Sequence, residues 1–115
     1  MKQAIYKYVI ENIGQPVEIE VGPHFQPLMA QIQNGSIVVW GLVTIEGGIE
    51  EGGKEAKPSK RRFYVVGTGW DLPFDPLLWS YIGTGAITQL GSSFVWHVWI
   101  EKTPAQLRAF YGVGP

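Results

Sequence analysis

Residues 28–45 read LMAQIQNGSIVVWGLVTI, and the Asn34-Gly35 pair at their centre decides the fold class. Before it, Leu28, Ala30 and Ile32 alternate with Met29, Gln31 and Gln33; after it, Val38, Trp40 and Leu42 alternate with Ile37, Val39 and Val43. A period of two belongs to a strand, because successive side chains leave opposite faces of a pleated chain. Asn-Gly between two such runs predicts a tight hairpin, since both residues tolerate the positive φ of a type I′ turn.

The flanking sequence extends the pattern. Residues 4–10 alternate Ile5, Lys7 and Val9 with Tyr6, Tyr8 and Ile10 and read as a strand, which Gly14, Gln15 and Pro16 break. Val17, Ile19 and Val21 then face one side and Glu18 and Glu20 the other, until Gly22, Pro23 and Pro27. Residues 46–60 hold four glycines, one proline and alternating charge, with almost nothing to bury, and predict a flexible loop. A strand over 61–68 ends at Gly67-Thr68-Gly69. Asp75-Pro76 has the chemistry of an N-cap and first helical residue, which predicts one helical turn over 77–81. Residues 81–90 and 93–100 make a closing hairpin about Gly91 and Ser92. Thr103-Pro104-Ala105-Gln106 matches a capping box and Gly112 a terminal cap. Together they predict a C-terminal helix over 104–111, within caps at 103–112, with Leu107, Phe110 and Tyr111 on one face.

The fold expected is mainly β: a small antiparallel sheet or two-layer sandwich of six or seven strands with one short C-terminal helix. A chain of 115 residues supports this as a single domain, 1–115, with its own core. Both faces of the later strands carry large apolar groups. Phe94, Trp96, Val98 and Ile100 oppose Val95, His97, Trp99 and Glu101, and a second apolar face needs a cover. The helix, a second sheet or another subunit would serve. A sandwich whose open end the helix caps and a homo-oligomer are compatible expectations.

Composition narrows the function classes. With 45% hydrophobic and 13% aromatic residues the chain cannot be a disordered one. A formal charge of −1 gives no overall positive field for a nucleic-acid backbone or an anionic membrane. The absence of cysteine removes thiol nucleophiles, thiolate-bound zinc and redox pairs. The start, Met1 to Tyr8, lacks the apolar run of a signal peptide, and no 18-residue apolar run occurs elsewhere. A cytoplasmic protein without membrane or nucleic-acid partners is the expectation.

No motif promises chemistry. His24 and His97 stand far apart without carboxylates at ligand spacing, and His97 reads first as a half-buried strand residue. Gly67-Thr68-Gly69 lacks the Lys-Ser/Thr pair and the long helix of a phosphate loop. None of Ser80, Ser92 and Ser93 stands in a nucleophile elbow, and Asp71 and Asp75 suit turn and cap roles. The expectation is therefore no catalytic residue, no metal and no cofactor. Lys57-Pro58-Ser59-Lys60-Arg61-Arg62 is the sole basic cluster. Arg61 and Arg62 point to opposite faces, so one guanidinium meets aromatic rings, and an arginine beside Trp40, Trp70 or Trp99 would suit a nucleobase or phosphate. Arg108 on the helix offers a second fork. The candidate ligand-binding residues are Arg61, Arg62, Trp70, His97, Trp99 and Arg108.

The order of Ile5-Tyr6-Lys7-Tyr8, Gln33-Asn34-Gly35, Trp40-Gly41-Leu42-Val43, Arg61-Arg62-Phe63, Gly67-Thr68-Gly69 and Val95-Trp96-His97-Val98 resembles a family of short phage and prophage proteins of unknown function. The resemblance spans about residues 5 to 100. Trp70 stands where that pattern often has a histidine, and residues 101–115 pass its usual end, which marks the helix as a local addition. The resemblance implies a phage origin and action inside a bacterial host, and no activity. Two roles fit an accessory protein of this kind: a sponge for a nucleotide-type immune signal, or a protein-protein inhibitor or assembly module acting on a host or phage protein. A minor virion component is a third. The sponge requires a pocket where arginine and aromatic groups converge, and the module requires exposed apolar surface.

Overall fold

Where both faces of several strands are apolar, the chain needs two layers, and two sheets form. A computed structural model of the protein describes residues 2–47, 55–89 and 91–112, with the side chain of residue 89 excepted. The strands are β1 (Lys2–Ile10), β2 (Val17–Val21), β3 (Gln26–Gln33), β4 (Ser36–Glu46), β5 (Ser59–Gly67), β6 (Trp79–Gln89) and β7 (Ser92–Glu101). They pair antiparallel in a three-stranded sheet, β1-β4-β3, and a four-stranded sheet, β2-β5-β7-β6. Asn34 and Gly35 take φ of 50° and 77°, the pair of positive values the hairpin reading asked for.

The core lies between the sheets. Phe63, Val65, Val98 and Ile100 of the larger sheet meet Ile10, Ala30, Ile37 and Val39 of the smaller one, with Val21 beside them. Burying each large apolar side chain of this kind contributes roughly 1.5–3 kcal/mol. Tyr8, Phe25 and Phe63 form an edge-to-face chain at 5.6 and 6.3 Å, and Gly41 leaves the space that the Phe25 ring fills. Along one side the sheets touch at their edges. A Cβ placed on Gly83 of β6 would lie 2.8 Å from the Ala30 carbonyl oxygen of β3, and one on Gly85 would overlap the Ile32 side chain. Only glycine permits that approach.

The second apolar faces are covered in part within the chain. Over the smaller sheet, Lys7 Nζ lies 5.8 Å from the Trp40 ring and donates to Gln33, while Trp40 donates to Gln31. Long polar side chains thus gather about Trp40. Ile5, Val9 and Met29 of the same sheet remain exposed. Over the larger sheet, Phe74 packs at 4.7, 5.3 and 5.4 Å from the rings of Trp79, Trp99 and Tyr64.

Three expectations are corrected. The helical turn placed over 77–81 is a 3-10 turn, Pro76–Leu78, capped by Asp75, because Trp79 and Tyr81 already pair with Glu101 and Trp99. The loop over 46–60 is ordered at its ends: Glu46 belongs to β4, Glu55 makes a bridge, and Ser59 and Lys60 pair with Val21 and Glu20. Residues 48–54 lie outside the described residues. The helix α1, Pro104–Tyr111, has the capping box at Thr103 and Gln106 and a left-handed Gly112, but buries no residue and leaves Phe110 69% exposed. It does not cap the core.

Candidate functional site: an aromatic pocket at the Gly67–Gly69 turn

Antiparallel strands of unequal length leave one partner unpaired beyond the end of the other. β5 pairs with β7 as far as Gly67 opposite Trp96, and then turns away. The turn is closed by the Trp70 amide donating to the Gly67 carbonyl at 3.2 Å, with Gly69 at a φ of 85° that glycine reaches without steric cost. The Trp70 indole folds back over Gly67, where a Cβ would lie 2.8 Å from its ring, and also rests on Gly14. It meets Trp96 edge to face at 5.5 Å, and Phe94 lies nearly parallel to Trp96 at 6.3 Å.

These rings wall an open pocket of about 400 Å³, lined by Gly67, Thr68, Trp70, Ser93, Phe94, Val95 and Trp96. Trp70 is 50% exposed and Phe94 48%, so the walls are accessible. Among the described residues no charged side chain lines the pocket.

On the outer face of the larger sheet, Thr68 links the pocket to His97. The threonine hydroxyl lies 2.7 Å from His97 Nε2, and the Tyr81 and Thr84 hydroxyls lie 2.9 and 3.3 Å from Nδ1. A hydroxyl can donate or accept, so both ring nitrogens have hydrogen-bond partners. Burial raises the Tyr81 phenol above its ordinary value, which holds it protonated rather than preparing it as a base. Among the described residues no group of histidines and carboxylates could hold a metal ion.

The six candidate residues do not form one site. Arg61 points to the core side, donates to the Glu101 carbonyl at 3.0 Å and lies 5.8 Å from the Phe25 ring. Burial lowers the pKa of its guanidinium, with Glu101 opposing the shift. Arg62 takes the outer face, pairs with the Glu101 carboxylate at 3.0 Å and lies 5.9 Å from the Trp79 ring. His97 and Trp99 share that face; Trp99 meets Phe74 and Tyr81, both at 5.3 Å, with its Nε1 buried and without a hydrogen-bond partner. Trp70 lies over Gly67, the last residue of β5, which is five residues or about 17 Å of strand from Arg62. Arg108 occupies the last turn of α1, where its charge suits the helix dipole. The pocket residues not singled out from sequence are Thr68, Ser93, Phe94, Val95 and Trp96. The available signal is the closing hairpin outrunning the preceding strand, which leaves Phe94 with no β5 residue opposite it.

A family model described as a domain of unknown function, DUF7352, matches residues 1–109. The chain belongs to this family. No curated protein and no solved structure matches it. The match takes in Pro104 to Ala109, so most of α1 is part of the DUF7352 domain and not an addition to it. Among the described residues of this DUF7352 chain, no helix is long and apolar enough to cross a membrane.

Proposed function

We propose that this DUF7352 chain is a non-enzymatic binding module of phage or prophage origin that captures a host or phage protein in the bacterial cytoplasm through the aromatic pocket. The observation that carries the reading is the pocket's chemistry: half-exposed Trp70 and Phe94 beside Trp96, with no charged lining group among the described residues. Exposed aromatic anchors in a pocket are where protein-protein binding energy concentrates. A nucleotide would bring phosphates, and the arginines expected to meet them are engaged at Glu101, away from Trp70. The sponge reading therefore ranks second.

The test is affinity capture with the tagged chain and its Trp70→Ala variant from a bacterial host, alongside native mass spectrometry of the purified chain. A stoichiometric protein partner that falls about tenfold or more with Trp70→Ala, a loss of at least 1.4 kcal/mol, supports the module. A retained nucleotide-mass ligand that disappears in Arg62→Ala would replace it with the sponge.

A further inference from the structure

The pocket borders an open strand edge. Beyond Gly67 opposite Trp96, residues 93–95 of β7 have, among the described residues, a strand on one side only, where Thr88, Ile87 and Ala86 of β6 pair with Ser93, Phe94 and Val95. The Val95 carbonyl accepts from the Thr68 amide at 3.2 Å, so the main chain of Val95 faces the side that β5 has left. Backbone groups alternate direction along a strand, so the N–H and C=O of Ser93, two residues on, face the same side. Ser93 and Val95 both line the pocket between Trp70, Phe94 and Trp96.

The site therefore combines one donor and one acceptor at strand spacing with an uncharged aromatic recess. Phosphate, carboxylate and ammonium groups find no counter-charge in it. An uncharged peptide main chain complements the edge, and an apolar side chain complements the recess. This is the chemistry of strand addition, in which main-chain hydrogen bonds supply affinity and a pocket for alternate side chains supplies selectivity.

Resting on the reading of the pocket as a protein-binding site, we infer that the partner contributes an extended, uncharged segment that adds as a short strand along Ser93–Val95 and seats one large apolar side chain between Trp70, Phe94 and Trp96. A residue opposite Ser93 exchanges both main-chain hydrogen bonds with it, and its neighbour in sequence fills the recess.

The experiment uses the full ¹⁵N-labelled chain and a set of acetylated, amidated Thr-Val-Xaa-Val-Thr peptides, with Xaa as Phe, Trp, Leu or Ala, followed by NMR at millimolar peptide. The expected result is saturable shifts of the Ser93 and Val95 amides and the Trp70 indole N–H, with Phe, Trp or Leu peptides binding about tenfold or more tightly than the Ala peptide. N-methylation of the residue opposite Ser93, found by methylating each position in turn, should weaken binding about tenfold, the effect of one unmade hydrogen bond. Trp70→Ala, with its fold checked by circular dichroism, should remove the shifts. The inference is overturned if no peptide binds, if binding tolerates methylation at every position, or if the Ser93 amide instead shifts on diluting the protein alone, which would assign the edge to a second copy. Trp70-dependent capture of a protein in the absence of peptide binding would sink strand addition and leave the module reading standing. Peptide binding without such capture would do the reverse.

Discussion

Substituting Gly83 tests the closure of the two sheets. A Cβ there would lie 2.8, 2.9 and 3.0 Å from the oxygen, Cβ and nitrogen of Ala30. Two of these are backbone atoms, so no rotamer change relieves the overlap and β3 must retreat. A retreat of about 0.5–1 Å forfeits a quarter to a half of the dispersion attraction between the facing atoms. Overpacking of this kind costs about 1–3 kcal/mol, and the stiffer unfolded chain returns about 0.4–1 kcal/mol. We expect Gly83→Ala to destabilise by about 1–2 kcal/mol, lowering the urea midpoint by roughly 0.5–1.5 M at unchanged slope. Gly85→Ala behaves differently, because the obstacle is the Ile32 side chain. Removing that side chain makes room, so Ile32→Ala should couple favourably to Gly85→Ala by about 1 kcal/mol and not to Gly83→Ala. Urea titrations of the wild type, three single variants and two double variants measure both. A Gly83→Ala protein as stable as the wild type, or equal rescue of both glycine variants, would refute contact between the β3 and β6 edges.

Thr103→Ala removes the side-chain acceptor of the capping box, which is worth about 1 kcal/mol to the helix. Because α1 buries no residue, hydrogen exchange at the Leu107 amide should accelerate about fivefold while the global urea midpoint stays put; a matching drop in the midpoint would show the helix folding with the core. Tyr81→Phe tests the alkaline limb. Burial raises the folded phenol above 10.0, so the folded chain holds this proton more tightly than the unfolded one. Its contribution is complete below pH 10.0 and is lost as pH rises through the folded value. Stability should thus fall less steeply above that pH in Tyr81→Phe than in the wild type, and parallel slopes would contradict the upward shift of the phenol.

The fold was largely legible because its signals are local. Asn34-Gly35, the Val17 to Val21 alternation and the Thr103 to Gln106 capping box each act within a few residues, and each appears where the pattern put it. The partition of strands between sheets was not legible, since strand partners are chosen by burial across the whole domain. Nor was the way apolar second faces are covered. Trp40 reads as unpartnered surface until Lys7 and Gln31 are brought beside it by strands that come from opposite sides of β4 in the sheet. The bulge between Tyr81 and Gly83 shifted the parity of β6, which places Tyr81 and Thr84 both against His97.

The candidate site divides for the same reason. Arg61 and Arg62 lead along one strand to the turn that carries Trp70, yet a strand separates its residues twice. Parity sends the two guanidinium groups to opposite faces, and a rise of about 3.3 Å per residue carries Gly67 well beyond their reach. Both arginines then converge on Glu101 from its two sides, one on its carbonyl and one on its carboxylate. That convergence fixes the end of β7 away from the pocket and uses the positive charge there. What the Gly67–Gly69 turn is left with is an exit without charge: two glycines that let an indole fold back, a threonine that ties the turn to Val95, and three residues of β7 with one edge open. Among the described residues a recess so composed offers an ionic ligand no counter-charge, and this is the ground on which a peptide segment is proposed as the partner ahead of a nucleotide.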